Sequence, residues 1–312
     1  MKTLKLVPST PDFKFVRYNR RAFVVSSVLI IGSLVAFLMQ GLNFGIDFKG
    51  GILVEISSSE PVDIGNLRGR MQTLELGEVQ IQQFGTPTDV LIRVAEADGA
   101  VSTARDLSAV DAIRQDLEGE FEIRRVEIVG PQVSRELIQT GLLAVVVAIS
   151  SMLVYIWFRF EWQFGLGAVI ALSHDVLATI GLFSLLGLEF NLASVAALLT
   201  IAGYSINDTV VIYDRVRENM RRYKSMPLTN LFNKSINETL ARTVMTSVTT
   251  LLALLALVLL GGEVIRGFSI ALIFGVLIGT YSSVALAVPT LLYLRIDRNS
   301  DGEGKYSSQS EE

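Results

Sequence analysis

Six apolar runs, each close to the roughly 20 residues that carry a helix across a bilayer, constrain this chain more than any other feature. They cover Ala22–Met39, Leu137–Phe158, Phe164–Leu188, Leu192–Tyr213, Val244–Leu260 and Phe268–Leu294. Half of the 312 residues are hydrophobic even before glycine is counted, so a bilayer is the expected solvent. The first run follows Lys14, Arg17, Arg20 and Arg21 without a small-residue cleavage site, and reads as a retained anchor.

Positive segments resist translocation, so their positions predict orientation. The amino-terminal stretch 1–21 adds Lys2 and Lys5, and the loop after the fourth run holds Arg215, Arg217, Arg221, Arg222, Lys224 and Lys234. The tail 295–312, expected to be disordered, carries Arg295, Arg298 and Lys305. All three segments fall on one side of a six-span topology, which makes both termini cytoplasmic. The one long loop, residues 41–136, then lies outside the cytoplasm.

That loop reads as a small folded domain. A strand is expected at Gly51–Ser57, a helix at Asp63–Leu74, and a hairpin from Glu78–Phe84 to Val90–Val94 turned through Gly85–Asp89. A helix follows at Ser102–Leu117, with Asp106, Asp111 and Arg114 outward and Leu107, Val110, Ile113 and Leu117 inward, then a strand at Phe121–Val129. The order βαββαβ is that of a ferredoxin-like α+β domain.

Composition excludes several chemistries. With no cysteine there is no disulfide framework and no thiolate site, and one histidine rules out a His-rich metal centre. The net charge of -4 is small and the basic residues flank apolar runs, which suits lipid headgroups and gives no support to nucleic-acid binding. No catalytic constellation, metal set or cofactor loop is apparent, so neither an enzyme nor a cofactor is expected.

The membrane runs carry ionisable groups that a simple anchor would lack, because a charge near the bilayer centre costs from about 3 kcal/mol upward. Asp208 shares a polar stripe with Ser205 and Thr209, beside Asn207, on an otherwise apolar helix. It is an ion site, or a carboxylate that only caps or pairs at the helix end. Arg242 opens the fifth run, and Thr246, Ser247, Thr249 and Thr250 follow on one face that should turn inward. Antiparallel packing would bring Arg242 and Asp208 to similar depths; the alternative is that Arg242 reaches out to phosphate headgroups. His174 and Asp175 lie deeper, in the third run, where Asp175 either joins an ion relay or is structural, and His174 fits a hydrogen-bonded core residue. Gly275 and Gly279, followed by Ser283, form a GxxxG packing face on the sixth run.

Several segments jointly resemble the SecF family, subunits of the SecDF accessory complex of bacterial protein export and relatives of the RND transporters. The entry motif is GIDFKGG at Gly45–Gly51, with Asp47, Phe48, Gly50 and Gly51; Gly130 and Pro131 belong to a second motif, VGPQV, before the second helix. AGYSINDTVVIYDRVR at Ala202–Arg217 and ETLARTVMTSVTT at Glu238–Thr250 are similar to the family's fourth- and fifth-helix signatures. Ser134 stands where the second motif is expected to have glycine.

The resemblance implies an α-helical polytopic protein of the bacterial inner membrane: a helix at 22–40, a periplasmic domain at 41–136, and helices two to six at 137–294. These six helices would be half of an RND-type core, with SecD as obligate partner. The resemblance also implies association with SecYEG, YajC and YidC, and action on unfolded secretory polypeptides. It implies a proton path in which Asp208 and Arg242 act; Asp175, Asn207, Ser205, Thr209 and Thr246 are the polar residues expected beside them from the sequence itself. Two other classes fit the same topology: half of an RND-type small-molecule/proton antiporter, which the single small external domain disfavours, and a passive translocon scaffold.

Overall fold

The computed structural model describes residues 11–74, 76–77, 79–95, 103–261, 263–294 and 296. Lys2, Lys5, Glu78, Ser102, Arg295, Arg298, Lys305 and the rest of the tail apart from Ile296 lie outside these residues, as does the side chain of Asp106. Along the chain, α1 (Asn19–Gln40) leads into β1 (Asn43–Phe44), a single turn α2 (Ile46–Lys49), β2 (Gly51–Ser57), α3 (Ile64–Thr73), β3 (Val79–Phe84), β4 (Thr86–Val94), α4 (Thr103–Leu117) and β5 (Glu122–Val129). Then come α5 (Pro131–Arg159), α6 (Trp162–Leu186), β6 (Glu189–Phe190), α7 (Leu192–Arg222), α8 (Leu228–Leu260), α9 (Glu263–Ser282), a π-helical segment Ser283–Ala287 and α10 (Val288–Thr290). Among the described residues, the six helices long and apolar enough to cross a membrane are α1 with its lead-in, α5, α6, α7, α8 and the α9–α10 run. The chain is a multi-pass α-helical membrane protein.

Two compact units divide the fold. The first holds 1–41, 147–187 and 196–312; the second holds 42–146 and 188–195. In the second unit the four-stranded sheet has the order β3-β4-β2-β5, antiparallel throughout, which is the split βαβ order expected from the pattern. Alternation builds its core. Ile52, Val54 and Ile56 of β2 meet Val90, Ile92 and Val94 of β4, while Leu67 and Met71 of α3 and Val110, Ile113 and Leu117 of α4 close over that face. Asp63 caps α3 by accepting from the backbone N–H groups of Gly65 (2.8 Å) and Asn66 (3.2 Å).

Three expectations need correction here. The hairpin has no five-residue turn: strand pairing resumes at Thr86, because Asp89 pairs across to Ser57 and accepts its hydroxyl at 2.6 Å. Leu107 is exposed, so the inward stripe of α4 begins at Val110. The fifth membrane helix starts at Leu228 rather than Val244, and Arg242 sits in its interior. The polar stretch before Val244 stays helical because Leu231, Phe232, Ser235, Ile236 and Thr239 recur at helical spacing and are buried.

In the first unit α6 is the central helix. Its Gly181 backbone lies against Ser33 of α1, where an added Cβ would come within 2.3 Å of the serine side chain, and Ser184 donates to the Ala36 carbonyl at 2.8 Å. Tyr281 of α9 donates its hydroxyl to the Ala22 carbonyl at 3.0 Å. The segment before α1 is clasped by α8. Asn237 both accepts from Phe13 N (3.0 Å) and donates to Phe13 O (2.8 Å), and Asn233 accepts from Val16 N (2.9 Å).

Candidate functional site

Close backbone approach between α7 and α9 sets the site. A Cβ on Gly275 would come within 2.2 Å of Ile201, and one on Gly279 within 3.1 Å of Ser205, so only glycine lets the two helices sit this near. Asp175 of α6 fills the space opened beside them and is fully enclosed, at 0% exposure. Its Oδ2 accepts the hydroxyls of Ser205 (2.5 Å, α7) and Ser282 (2.7 Å, α9), and its Oδ1 lies 2.9 Å from His174 Nδ1. Three helices therefore converge on one carboxylate. A buried carboxylate is tolerated only when its lone pairs are taken up, and here both oxygens are.

The polar chain continues along α7. Ser283 donates to the carbonyl of Ser205 (3.2 Å) or Gly279 (2.9 Å) and shares a hydrogen bond of 2.8 Å with Thr209. One turn further, Tyr213 donates to the Ala287 carbonyl at 3.1 Å. That carbonyl is available because the winding is π-helical at Ser283–Ala287 and Leu291 N turns instead to Val288 O. A second bridge joins α7, α8 and α9 through Tyr204, Ser247 and Thr280, with hydroxyl contacts of 3.3 and 2.8 Å.

Asp208 stands apart from these bonds. It is 3% exposed, and its Oδ2 is buried without a hydrogen-bond partner among the described residues. The guanidinium of Arg242 is within electrostatic reach of it, but the two form neither a hydrogen bond nor an ion pair among the contacts of the described residues. An enclosed carboxylate with an open oxygen can take up and release a proton. The neighbouring hydroxyls, each both donor and acceptor, can pass one along.

Of the residues singled out from sequence, the structure brings Asp175, Ser205 and Thr209 into one network, with His174 at its edge. Arg242 is exposed at the flank of Asp208. Asn207 is exposed, and Thr246 donates only to the Thr243 carbonyl of its own helix, so neither meets the buried network.

The junction residues gather in the second unit. Asp47 accepts from the backbone N–H of Leu192 at 2.9 Å, and Phe48 stacks on Phe190 at 6.0 Å. Gly50 and Gly51 have φ of 73° and 108°, which side-chain-bearing residues rarely adopt, and this turns the chain from α2 into β2. Gly130 accepts the first backbone bond of α5, from Ser134 N, and Pro131 opens that helix. Ser134 itself is buried and donates to the Ile46 carbonyl at 3.3 Å, so a serine here ties α5 to α2.

Residues 109–297 match the family described as "Protein export membrane protein SecD/SecF, C-terminal", and residues 35–62 match the "SecD/SecF GG Motif". The protein translocase subunit SecF of Rickettsia rickettsii is 45% identical over 295 residues, 92% of this chain and 94% of that one. The chain belongs to the SecF family. The SecF of Cereibacter sphaeroides is 47% identical over 302 residues, covering 95% of this chain and 93% of the relative. The crystal structure of SecDF, a translocon-associated membrane protein, from Thermus thermophilus superposes with a TM-score of 0.83 at 36% identity. That match covers 94% of this chain but 40% of the SecDF chain, so a SecF-family chain spans well under half of SecDF.

Sequence reasoning missed Ser282, Tyr204, Thr280 and Tyr213 as members of these hydrogen-bonded networks. The one available signal was the pair Ser282–Ser283 lying three and four residues after Gly279, on the same face as the glycine approach.

Proposed function

We propose that this chain is the SecF subunit of a SecDF complex in the bacterial cytoplasmic membrane, and that it uses the proton-motive force to promote late steps of polypeptide export. The observation that carries the reading is the state of Asp208: enclosed, with an oxygen left open, beside Arg242 rather than bonded to it. Protonation there removes the charge that Arg242 feels, so the α7–α8 pairing changes. The Asp175 bonds meanwhile hold α6, α7 and α9 as one block. One proton crossing the membrane potential supplies about 2.3 kcal/mol per 100 mV, enough to bias a two-state element but not to unfold a stable substrate. Pulling, or preventing backsliding, is the work that fits.

The basic segments support a topology with both termini in the cytoplasm and the α+β domain on the far side, where it would meet unfolded polypeptide. Asn207 and Arg242 are exposed polar groups on membrane helices. Such groups call for protein cover, and SecD, as the other half of an RND-type core, would supply it. SecYEG, YajC and YidC are the further expected associates. Asp208→Asn, introduced into the SecDF complex in sealed vesicles, tests the reading: potential-dependent export should fall to the level seen without a potential. Export that keeps its potential dependence would leave the chain a passive scaffold.

A further inference from the structure

The folded domain is joined in sequence to α1 and α5, yet its compact unit also takes in residues 188–195, which are the α6–α7 connection and the first turn of α7. Several independent contacts hold that segment. The pair β1–β6 is parallel, Asn43 against Glu189 and Phe44 against Phe190. From β4, Arg93 reaches across with one nitrogen to Asn43 Oδ1 (3.2 Å) and the other to the carboxylate of Glu189. Gly45 passes so close that an added Cβ would stand 2.5 Å from Glu189 Oε1. Within the segment, Ser194 N donates to Asn191 Oδ1 at 3.0 Å and Asn191 N to Ser194 Oγ at 3.2 Å, a reciprocal cap that fixes where α7 starts. The Asp47 carboxylate then takes the Leu192 N–H, one of the four amides that a helix start leaves without intrahelical partners and a place where the helix dipole favours negative charge.

We propose that Asp47 and Arg93 are positioning residues that lock the domain to the start of α7, so that the domain follows α7 rather than the two helices that flank it in the chain. The inference rests on the proton-driven reading above, because α7 is the helix that carries Asp208. From Leu192 to Asp208 the helix is unbroken, about 24 Å at 1.5 Å per residue. A displacement at Asp208 therefore arrives at Leu192 as movement of a rigid rod, and the Asp47 and Arg93 contacts convert it into movement of the sheet.

The chain has no cysteine, so Gln115→Cys on the exposed face of α4 and Thr200→Cys on α7 introduce the only thiols it carries. Spin labels at these positions, in the full chain reconstituted with SecD in vesicles, report the domain-to-α7 distance by pulsed electron paramagnetic resonance. Arg93→Glu alone and Glu189→Arg alone should each broaden the distance distribution and lower potential-dependent export by about fivefold or more. The double swap should narrow the distribution and recover export, which also separates loss of the lock from loss of the fold. Asp47→Ala should broaden it, with Asp47→Asn, which keeps an acceptor oxygen, lying between. Unchanged distances in the single variants would overturn the proposal, and so would broadened distances with undiminished export. Failure of the proton-driven reading shows separately, as potential-dependent export that survives Asp208→Asn.

Discussion

Ser205 on α7 donates its hydroxyl to Asp175 on α6 across 2.5 Å, inside a site closed to solvent. With Ser282 on the same oxygen and His174 on the other, Asp175→Ala would strand the Ser205 hydroxyl and His174 Nδ1 in the core, while Ser282 keeps the Gly279 carbonyl at 3.1 Å. Each costs about 1–3 kcal/mol when left unpaired. Asp175→Asn keeps one carbonyl oxygen and should recover part of that loss. Thermal denaturation of the purified complex checks the order: wild type highest, then Asn, then Ala.

Gly275→Ala should destabilise the helix pair by about 1–3 kcal/mol, the usual penalty of overpacking, because three side-chain atoms of Ile201 lie within 2.8 Å of the new methyl. Ile201→Ala makes room for it. The double variant should therefore melt higher than the sum of the two single changes predicts, and a double-mutant cycle with no coupling would contradict the packing described here.

In the α+β domain, the Ser57 hydroxyl holds the Asp89 carboxyl below the usual carboxylate range, helped by the Thr86 hydroxyl at 2.7 Å and Arg124 at 3.1 Å. A carboxyl whose folded pKa is depressed stabilises the fold above its unfolded value, about 3.9, and that contribution is lost as pH falls through the folded value. Hydrogen exchange of peptides covering Gly51–Ser57 and Thr86–Val94, corrected for intrinsic rates, should show protection falling as pH drops below that range. Asp89→Asn should weaken protection at neutral pH and flatten its decline with acid.

Asn237→Ala should free the segment before α1, since one side chain supplies both the donor and the acceptor for the Phe13 backbone. Trypsin should then cut at Lys14 or Arg17 faster than in wild type, with the melting temperature little changed. Equal cleavage rates would mean that Asn233 alone suffices.

Apolar run length was enough to place the six membrane helices, and alternation was enough to place β5, because burial on a lipid or sheet face writes directly into residue order. Where a helix continues past the bilayer, as α8 does through Leu231 to Thr239, the apolar run ends while the periodic stripe goes on, and the run alone misplaces the start. Depth was legible and azimuth was not. Counting put Asp175 deeper than Asp208, yet only the backbone contact at Gly275 and Gly279 shows which helix faces meet and makes Asp175 the hub. Serines such as Ser282 carry no pattern of their own, so their role emerged only from the partners they reach. The latch at Asp47 was legible as a motif, but its target on α7 is 145 residues away.

Pro289 lacks the N–H that a regular helix would return toward the carbonyl four residues back, and the wider winding at Ser283–Ala287 accommodates it. The two halves of this sixth span are consequently out of phase. Each residue of a helix advances the face by about 100 degrees, so one residue gained or lost in the π-helical segment would swing Val288 and Leu291 off the interior as a group. Chain length there works as an angular setting: it fixes which side of the carboxyl-terminal helix looks inward, independently of which side chains it carries.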